Sequence, residues 1–281
     1  IVETRKHRAL PFVLNNVMSN LPEEWSLQIF HGNSNLEYIK DVIDSDDFLN
    51  KIKEEKQLQE IIRKELLAEK MELQEKYENI FNNLNIDGIT QEETNLGIML
   101  TEELWNNIVG ETVLYFETDS MLCPNSKFKV SDFEHFDYIG GHWGNGEYPL
   151  DEEYPVVMNG GISIRKRQFM LDIIKNDLKP YLENGGNPCE DYFVSDYVRN
   201  RPTAREVRNF SIDNGYIEPL DMKAPFGVHK PWGGQPEKGH DRAYDKIKEV
   251  CPEVEVLKLL QGVEQDKVWT IPVELGGFDG V

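Results

Sequence analysis

Apolar residues along the chain follow two different spacings, and the alternation between them sets out the first elements. Ile1-Val2-Glu3-Thr4 reads as a short strand. Between Arg5 and Asn20, residues Leu10, Val13, Leu14, Val17 and Met18, with Leu21 just beyond, recur at three and four, which lays one stripe along a helix. Pro11 falls near the start of that helix, where its ring is tolerated. Trp25 to Phe30 reads as a second strand running into His31-Gly32-Asn33, and Asn35 to Ile43 as a second short helix. An opening of β-α-β-α implies a parallel sheet with right-handed crossovers.

The stretch 46–81 follows another rule. Phe48, Ile52, Leu58, Ile62, Leu66, Leu73, Tyr77 and Ile80 keep helical spacing against a face dense in Glu, Lys and Gln. This predicts a long amphipathic helix or helical hairpin inserted in the domain, its heptad too irregular for a coiled coil. Strands resume at Thr112 to Phe116, Tyr138 to Gly140, and Val156 to Met158 continuing through Ile162 to Ile164. Helices are predicted at Lys166 to Asn176 and Glu190 to Asn200. Residues 233–281 read as a peripheral segment wrapping the domain. The fold class is therefore α/β.

Composition narrows the partners. At 281 residues, with 39% hydrophobic and 29% charged, the chain can bury a sizeable core. Its 51 acidic against 30 basic residues give a net charge of −21, which argues against a nucleic-acid polymer, since neutralising phosphates takes clustered Lys and Arg. A nucleotide ligand stays open, because a bound divalent cation can neutralise it locally. The three cysteines, Cys123, Cys189 and Cys251, fit no zinc spacing and point to reduced thiols and a cytoplasmic setting. No apolar run is long enough to span a bilayer. The chain opens on Ile1 rather than Met, which leaves localisation and the total domain count, with room for domains upstream, open.

Four segments could carry chemistry. In Phe116-Glu117-Thr118-Asp119-Ser120 an apolar strand delivers two carboxylates at its C-terminal end, where ligands bind in open α/β sheets. Carboxylates so spaced can share a hard cation and, through it, a diphosphate, or they can simply close the strand in a turn. Asp44-Ser45-Asp46 has the same spacing without the apolar strand. Asn159-Gly160-Gly161 sits inside a strand pattern, where paired glycines mark a bulge or a close approach, and Asn159 could bond sugar hydroxyls. Glu190 and Asp191 open a helix, as caps or as a general base acting on an acceptor hydroxyl. In Phe226-Gly227-Val228-His229-Lys230-Pro231-Trp232, read as a loop, His229 could complete a metal shell, Lys230 hold a phosphate and Trp232 pack on a sugar, or His229 could be structural. Thr4 and Arg5 after the first strand, and His31 after the second, are expected along the same sheet edge as Asp119. Trp143 could line an acceptor cleft.

These segments, with Val2-Glu3-Thr4-Arg5, Leu27-Gln28-Ile29-Phe30-His31-Gly32 and Asp137-Tyr138-Ile139-Gly140, resemble glycosyltransferase-like domains found in bacteria, fungi and large DNA viruses, in the same order over most of 1–232. The resemblance implies a GT-A-type, Rossmann-like fold, one domain over 1–281 with a mixed central sheet flanked by helices, and an enzyme using a nucleotide-sugar donor, UDP-linked, with Mn2+ or Mg2+. It implies a glycan or other hydroxyl acceptor and, if the source is a virus, the host cytoplasm. It carries the metal-binding role to Glu117, Asp119 and His229, and the base of an inverting reaction to Asp191, with Glu190 second. Donor contacts would come from Thr4, Arg5, His31, Thr118, Asp119, Asn159, Gly160, Gly161, Lys230 and Trp232. Three features depart from the pattern: Glu117 stands where Asp is usual, so Asp119 is the leading ligand and Glu117 is expected to act through a water; His142 stands where a small residue is expected; and the stretch 46–81 has no counterpart. A non-catalytic binding module of the same fold is the alternative, and a metal-dependent phosphohydrolase a more distant one, without a Walker-type loop to support it.

Overall fold

A computed structural model describes residues 1–3, 5–22, 24–32, 35–44, 97–143, 148–214, 217–232 and 240–261. Thr4 and the expected helical stretch 46–81 lie outside the described residues.

The opening is β-α-β-α with shorter elements than the pattern predicts. Strand β1 is Val2–Glu3, helix α1 Leu10–Asn20, strand β2 Phe30–His31 and helix α2 Leu36–Asp44. Helix α1 begins five residues later than expected because Pro11 occupies its first turn. Deeper in a helix the proline ring would clash with the carbonyl four residues before it, so the proline is accommodated only in a first turn. The alternation over Trp25 to Phe30 becomes ladder only at Phe30. β1 and β2 pair in parallel, as expected, but as a two-stranded sheet of their own. The expectation of one sheet edge shared by Arg5, His31 and Asp119 is therefore corrected.

The main sheet has six strands in the order β3-β6-β5-β7-β8-β4. They are β3 Thr112–Phe116, β4 Ser120–Leu122, β5 Tyr138–His142, β6 Met158–Lys166, β7 Ser211–Asp213 and β8 Gly227–His229. The β5–β7 and β7–β8 pairs are parallel and the other three antiparallel, so the sheet is mixed. The helices are α3 Glu102–Asn107, α4 Arg167–Asn176, α5 Leu178–Glu183, α6 Glu190–Tyr197, α7 Ala204–Phe210, α8 His240–Val250 and α9 Val254–Gln261. Thr203 and Glu206 start α7 with a reciprocal capping box, each side chain bonding the other's backbone N–H. Against the sheet, α4 and α6 pack on β6, α7 on β5 and β7, and α1 and α9 on β4. The protein is thus a helix-flanked mixed α/β fold. Its core includes Leu10 and Leu14 of α1, Met121, Ile139, Ile162, Ile164 and Val228 of the sheet, and Phe193 and Phe210 from the covering helices.

Two other expectations change. The C-terminal region is not only a polar wrap, since α8 and α9 bury Ile247, Val254 and Leu257. Cys123 and Cys251 form a disulfide with Cα atoms 5.4 Å apart, which overturns the reading of reduced thiols; Cys189 remains free. No spacing rule links two cysteines 128 residues apart, and only the docking of α8 and α9 brings them together. No helix among the described residues is long and apolar enough to cross a membrane.

Candidate functional site

The site forms where strand ends converge. The C-terminal ends of β3, β5, β7 and β8 meet the N-terminal ends of β6 and β4 along one edge of the main sheet. β3 buries Leu114, Tyr115 and Phe116 and stops. Its continuation then folds back: Glu117 N donates to Gly161 O at 2.9 Å, and Ser120 donates from N to Glu117 O at 3.1 Å and from Oγ to Gly161 O at 2.6 Å. Glu117-Thr118-Asp119 is therefore both a strand-closing turn and a carrier of carboxylates. Ser120 pairs with His229 across β4–β8, and Asp213 pairs with His229 across β7–β8. His229 lies on a strand rather than in the loop predicted from its Gly and Pro neighbours.

Three side chains converge here. His229 Nε2 is 3.2 Å from Asp119 Oδ1 and 3.5 Å from Glu117 Oε2. One ligand atom from each of Glu117, Asp119 and His229 falls within 4.8 Å of the others. Among the described residues, no other group of three His, Cys, Asp or Glu side chains gathers this closely. Nε2 and Asp119 Oδ1 are both shut off from solvent, and neither has a well-aligned hydrogen-bond partner. Buried polar atoms are rarely left so. Two carboxylates and an imidazole suit Mn2+, which accepts both oxygen and nitrogen, and they admit Mg2+ through the oxygens. Glu117 Oε2 lies in the same group as Asp119 and His229, so it too could reach a shared ion.

The charges are strongly coupled. Burial opposes ionisation of Asp119, but His229 and then Lys230 outweigh it and hold this carboxyl well below the usual carboxylate range. Burial likewise opposes a charged His229, but Asp119 and Asp213 together keep its proton affinity well above that of an ordinary histidine. Lys230 Nζ lies 3.2 Å from Asp119 Oδ2 on a half-exposed side chain at the rim. Its backbone takes φ +43°, a left-handed conformation unusual for lysine, while its N–H donates to Asp119 O at 3.0 Å.

A second charged cluster approaches the same strand. A Cβ on Gly161 would stand 2.4 Å from the His229 ring, and one on Gly160 would meet Arg165 Nη2 and Asp191 Oδ1 at 2.5 Å. The two missing side chains let the two clusters close on neighbouring positions of one strand. The ladder between β5 and β6 also shifts register at Gly140/Gly141, so the expected bulge is present as well. Asp191 Oδ1 accepts the Gly160 N–H at 2.7 Å, and Oδ2 lies 3.3 Å from Asn159 Nδ2. Asn159 Oδ1 in turn accepts the Gly161 N–H at 2.8 Å. Burial, and next the Glu190 carboxylate, push the Asp191 carboxyl well above its usual range. Glu190 is ion-paired with Arg165, which is fully buried between the rings of Tyr115 and Tyr138.

The other expected residues divide. Arg5 is held by Glu3 and reaches Thr118 Oγ1 at 3.3 Å, so the first strand does deliver a guanidinium to the turn. His31 stands opposite Glu3 in the two-stranded ladder, with Nδ1 3.1 Å from Gly32 O. Trp232 is half-buried against the hydrophobic core, and Trp143 meets Tyr192 edge-on at 5.9 Å. Sequence reasoning missed three participants. Asp213 bonds His229, Gln261 Nε2 donates to Thr118 O at 2.7 Å, and Arg165 neutralises Glu190. For Asp213 a signal existed, a short apolar Phe210-Ser211-Ile212 run ending in an acid before Asn-Gly.

No curated protein and no solved structure matches the chain. A family profile matches residues 78–229, over half of the chain. The matched span holds Glu117, Asp119, Asn159 to Gly161, Glu190, Asp191, Asp213 and His229, and leaves out Arg5, His31 and the two C-terminal helices. The chain belongs to the family described as protein of unknown function DUF5672.

Proposed function

We propose that this chain transfers a glycosyl group from a nucleotide-sugar donor, UDP-linked by the resemblance of its motifs, to an acceptor hydroxyl, with a divalent cation and a GT-A-like, Rossmann-related sheet. One observation carries this reading: Glu117, Asp119 and His229 converge at the sheet edge where four strands end, with Asp119 Oδ1 and His229 Nε2 buried face to face and without a well-aligned hydrogen bond. These three residues would hold Mn2+ or Mg2+, which when bound neutralises a diphosphate and stabilises the departing nucleoside diphosphate. Lys230 adds a fixed positive charge at the rim for a phosphate oxygen. Asp191 takes the proton of the acceptor hydroxyl as that oxygen bonds to the anomeric carbon and the bond from that carbon to phosphate breaks, with inversion. A raised proton affinity suits this work. Glu190 is neutralised by Arg165 and serves to fix the start of α6.

The test is incubation with a panel of nucleotide sugars and Mn2+ or Mg2+. Transfer or slow donor hydrolysis is expected, lost on chelation and lost in Asp119→Ala. Asp191→Asn is expected to lower turnover by about 100-fold or more while still binding donor. No turnover of any donor, together with no metal-dependent nucleotide binding, would overturn the reading. A module that binds the nucleotide sugar without turnover has one observation in its favour. Both Asp191 oxygens are engaged and the residue is only 8% exposed. Binding with no donor hydrolysis under any condition would select it.

A further inference from the structure

Asp213 touches neither the open edge of the site nor any of the carboxylates there. It is fully buried, at the end of β7, and Oδ1 lies 2.5 Å from His229 Nδ1. Its other oxygen is held as firmly, accepting from Asn214 Nδ2 at 2.6 Å. Asn214 takes φ +53°, a left-handed conformation that asparagine tolerates better than most residues, and its own N–H donates to His229 O at 3.0 Å. Asp213 and His229 are also register partners in the parallel β7–β8 ladder. The carboxylate is thus fixed by its strand, by the following turn and by a hydrogen bond to each oxygen.

An imidazole has two nitrogens, and only an unprotonated one can ligate a metal. A carboxylate facing Nδ1 holds one proton there, so Nε2, which faces Glu117 and Asp119, is the nitrogen left to give up its proton to a bound cation. We propose that Asp213 is a positioning residue that fixes the Nδ1–H tautomer and ring orientation of His229, and so makes Glu117, Asp119 and His229 a competent divalent-cation site. This rests on the cation-binding reading of those three residues and on no particular donor. Gly161 supports the same arrangement from the other side, since any side chain there would displace the ring. Partners that orient metal-bound histidines typically change affinity by about 10- to 100-fold when removed.

The test measures the ion directly, without donor or acceptor. Free Mn2+ is counted by electron paramagnetic resonance during titration of the wild-type protein, Asp213→Asn and Asp119→Ala. Asp213→Asn is expected to weaken Mn2+ binding about 10- to 100-fold, and Asp119→Ala to remove it. Wild-type binding with Asp213→Asn unchanged overturns the role of Asp213 and leaves the cation site standing; no binding by the wild type overturns both. Should Asp213→Asn fail to fold, the wild type decides. With 15N-histidine labelling and Zn2+ as a diamagnetic probe, the His229 signals, assigned by their loss in His229→Gln, are expected to show a protonated Nδ1 and a ligated Nε2. A protonated Nε2 in the metal-bound protein overturns the proposal.

Discussion

At the scale of residues, Gly160 and Gly161 decide more than the charged groups around them. Gly161→Ala places a methyl within 2.4 Å of the His229 ring, so the imidazole must leave its position between Asp213 and Asp119. The expected result is a loss of Mn2+ binding on a par with His229→Ala, read by the same titration, with the far-ultraviolet circular dichroism unchanged. Asp191 gives a prediction in pH. Its carboxyl is raised in the folded protein, so the native state holds a proton there that the unfolded chain has already released. Stability is therefore lost as pH rises from about 4 through the raised value. Asp191→Asn should flatten that part of a urea-denaturation profile, and on the proposed glycosyl transfer wild-type turnover should rise with pH over the same window and then level. A stability profile identical in the two proteins would contradict the raised carboxyl. What the sequence made legible here was the acids after an apolar strand and the glycine pair. Asp213 was hidden because a three-residue strand is too short to show a period, and Arg165 because a buried cation in a strand looks like any surface arginine until its carboxylate is found.

At the scale of elements, the long strands and helices were readable because burial repeats along them. Thr112–Phe116 falls where predicted, and the helix ending at Asn176 and the one beginning at Glu190 each have that terminus where expected. β4, β7 and β8 were not readable, since three residues each carry no periodicity, yet they bring Ser120, Asp213 and His229 into one row. The disulfide belongs to this scale as well. It ties the end of β4 to the junction of α8 and α9, the latter of which also places the Leu259 carbonyl 2.6 Å from Arg8 Nη2 and Gln261 against Thr118. Closing a loop of this length removes chain entropy from the unfolded state worth about 5 kcal/mol, of which strain and residual unfolded structure usually take back a part. Cys123→Ser with Cys251→Ser should lower unfolding stability by roughly 2–4 kcal/mol in urea. Equal midpoints for the wild type with and without reductant would show that the bridge contributes nothing.

At the scale of the whole molecule, a net charge of −21 makes the protein repel itself at low ionic strength. Salt should therefore raise the melting temperature of the wild type and of Asp119→Ala alike, by screening. A specific ion behaves differently. At about 100 times its dissociation constant Mn2+ adds roughly 2.7 kcal/mol to a protein that binds it only when folded. That should appear as a shift of several degrees in the wild type, saturating with Mn2+, and be absent from Asp119→Ala. Equal shifts in both would reduce the three-residue cluster to one more patch of an acidic surface.

The position of β8 also fixes when the site can exist. It lies between β7 and β4, so neither strand has its final neighbour until β8, latest in sequence of the eight strands among the described residues, enters between them. His229 travels on that strand and Asp213 waits beside the gap. On the ribosome, a nascent chain that has emerged only as far as Asp213 has both carboxylates of the turn and no imidazole to offset them. On the cation-binding proposal, capacity for the ion is gained in one late step, when a three-residue segment closes the sheet. Mn2+ would be blind to every partly assembled form and would draw the population toward the finished one, so that its uptake marks the end of folding.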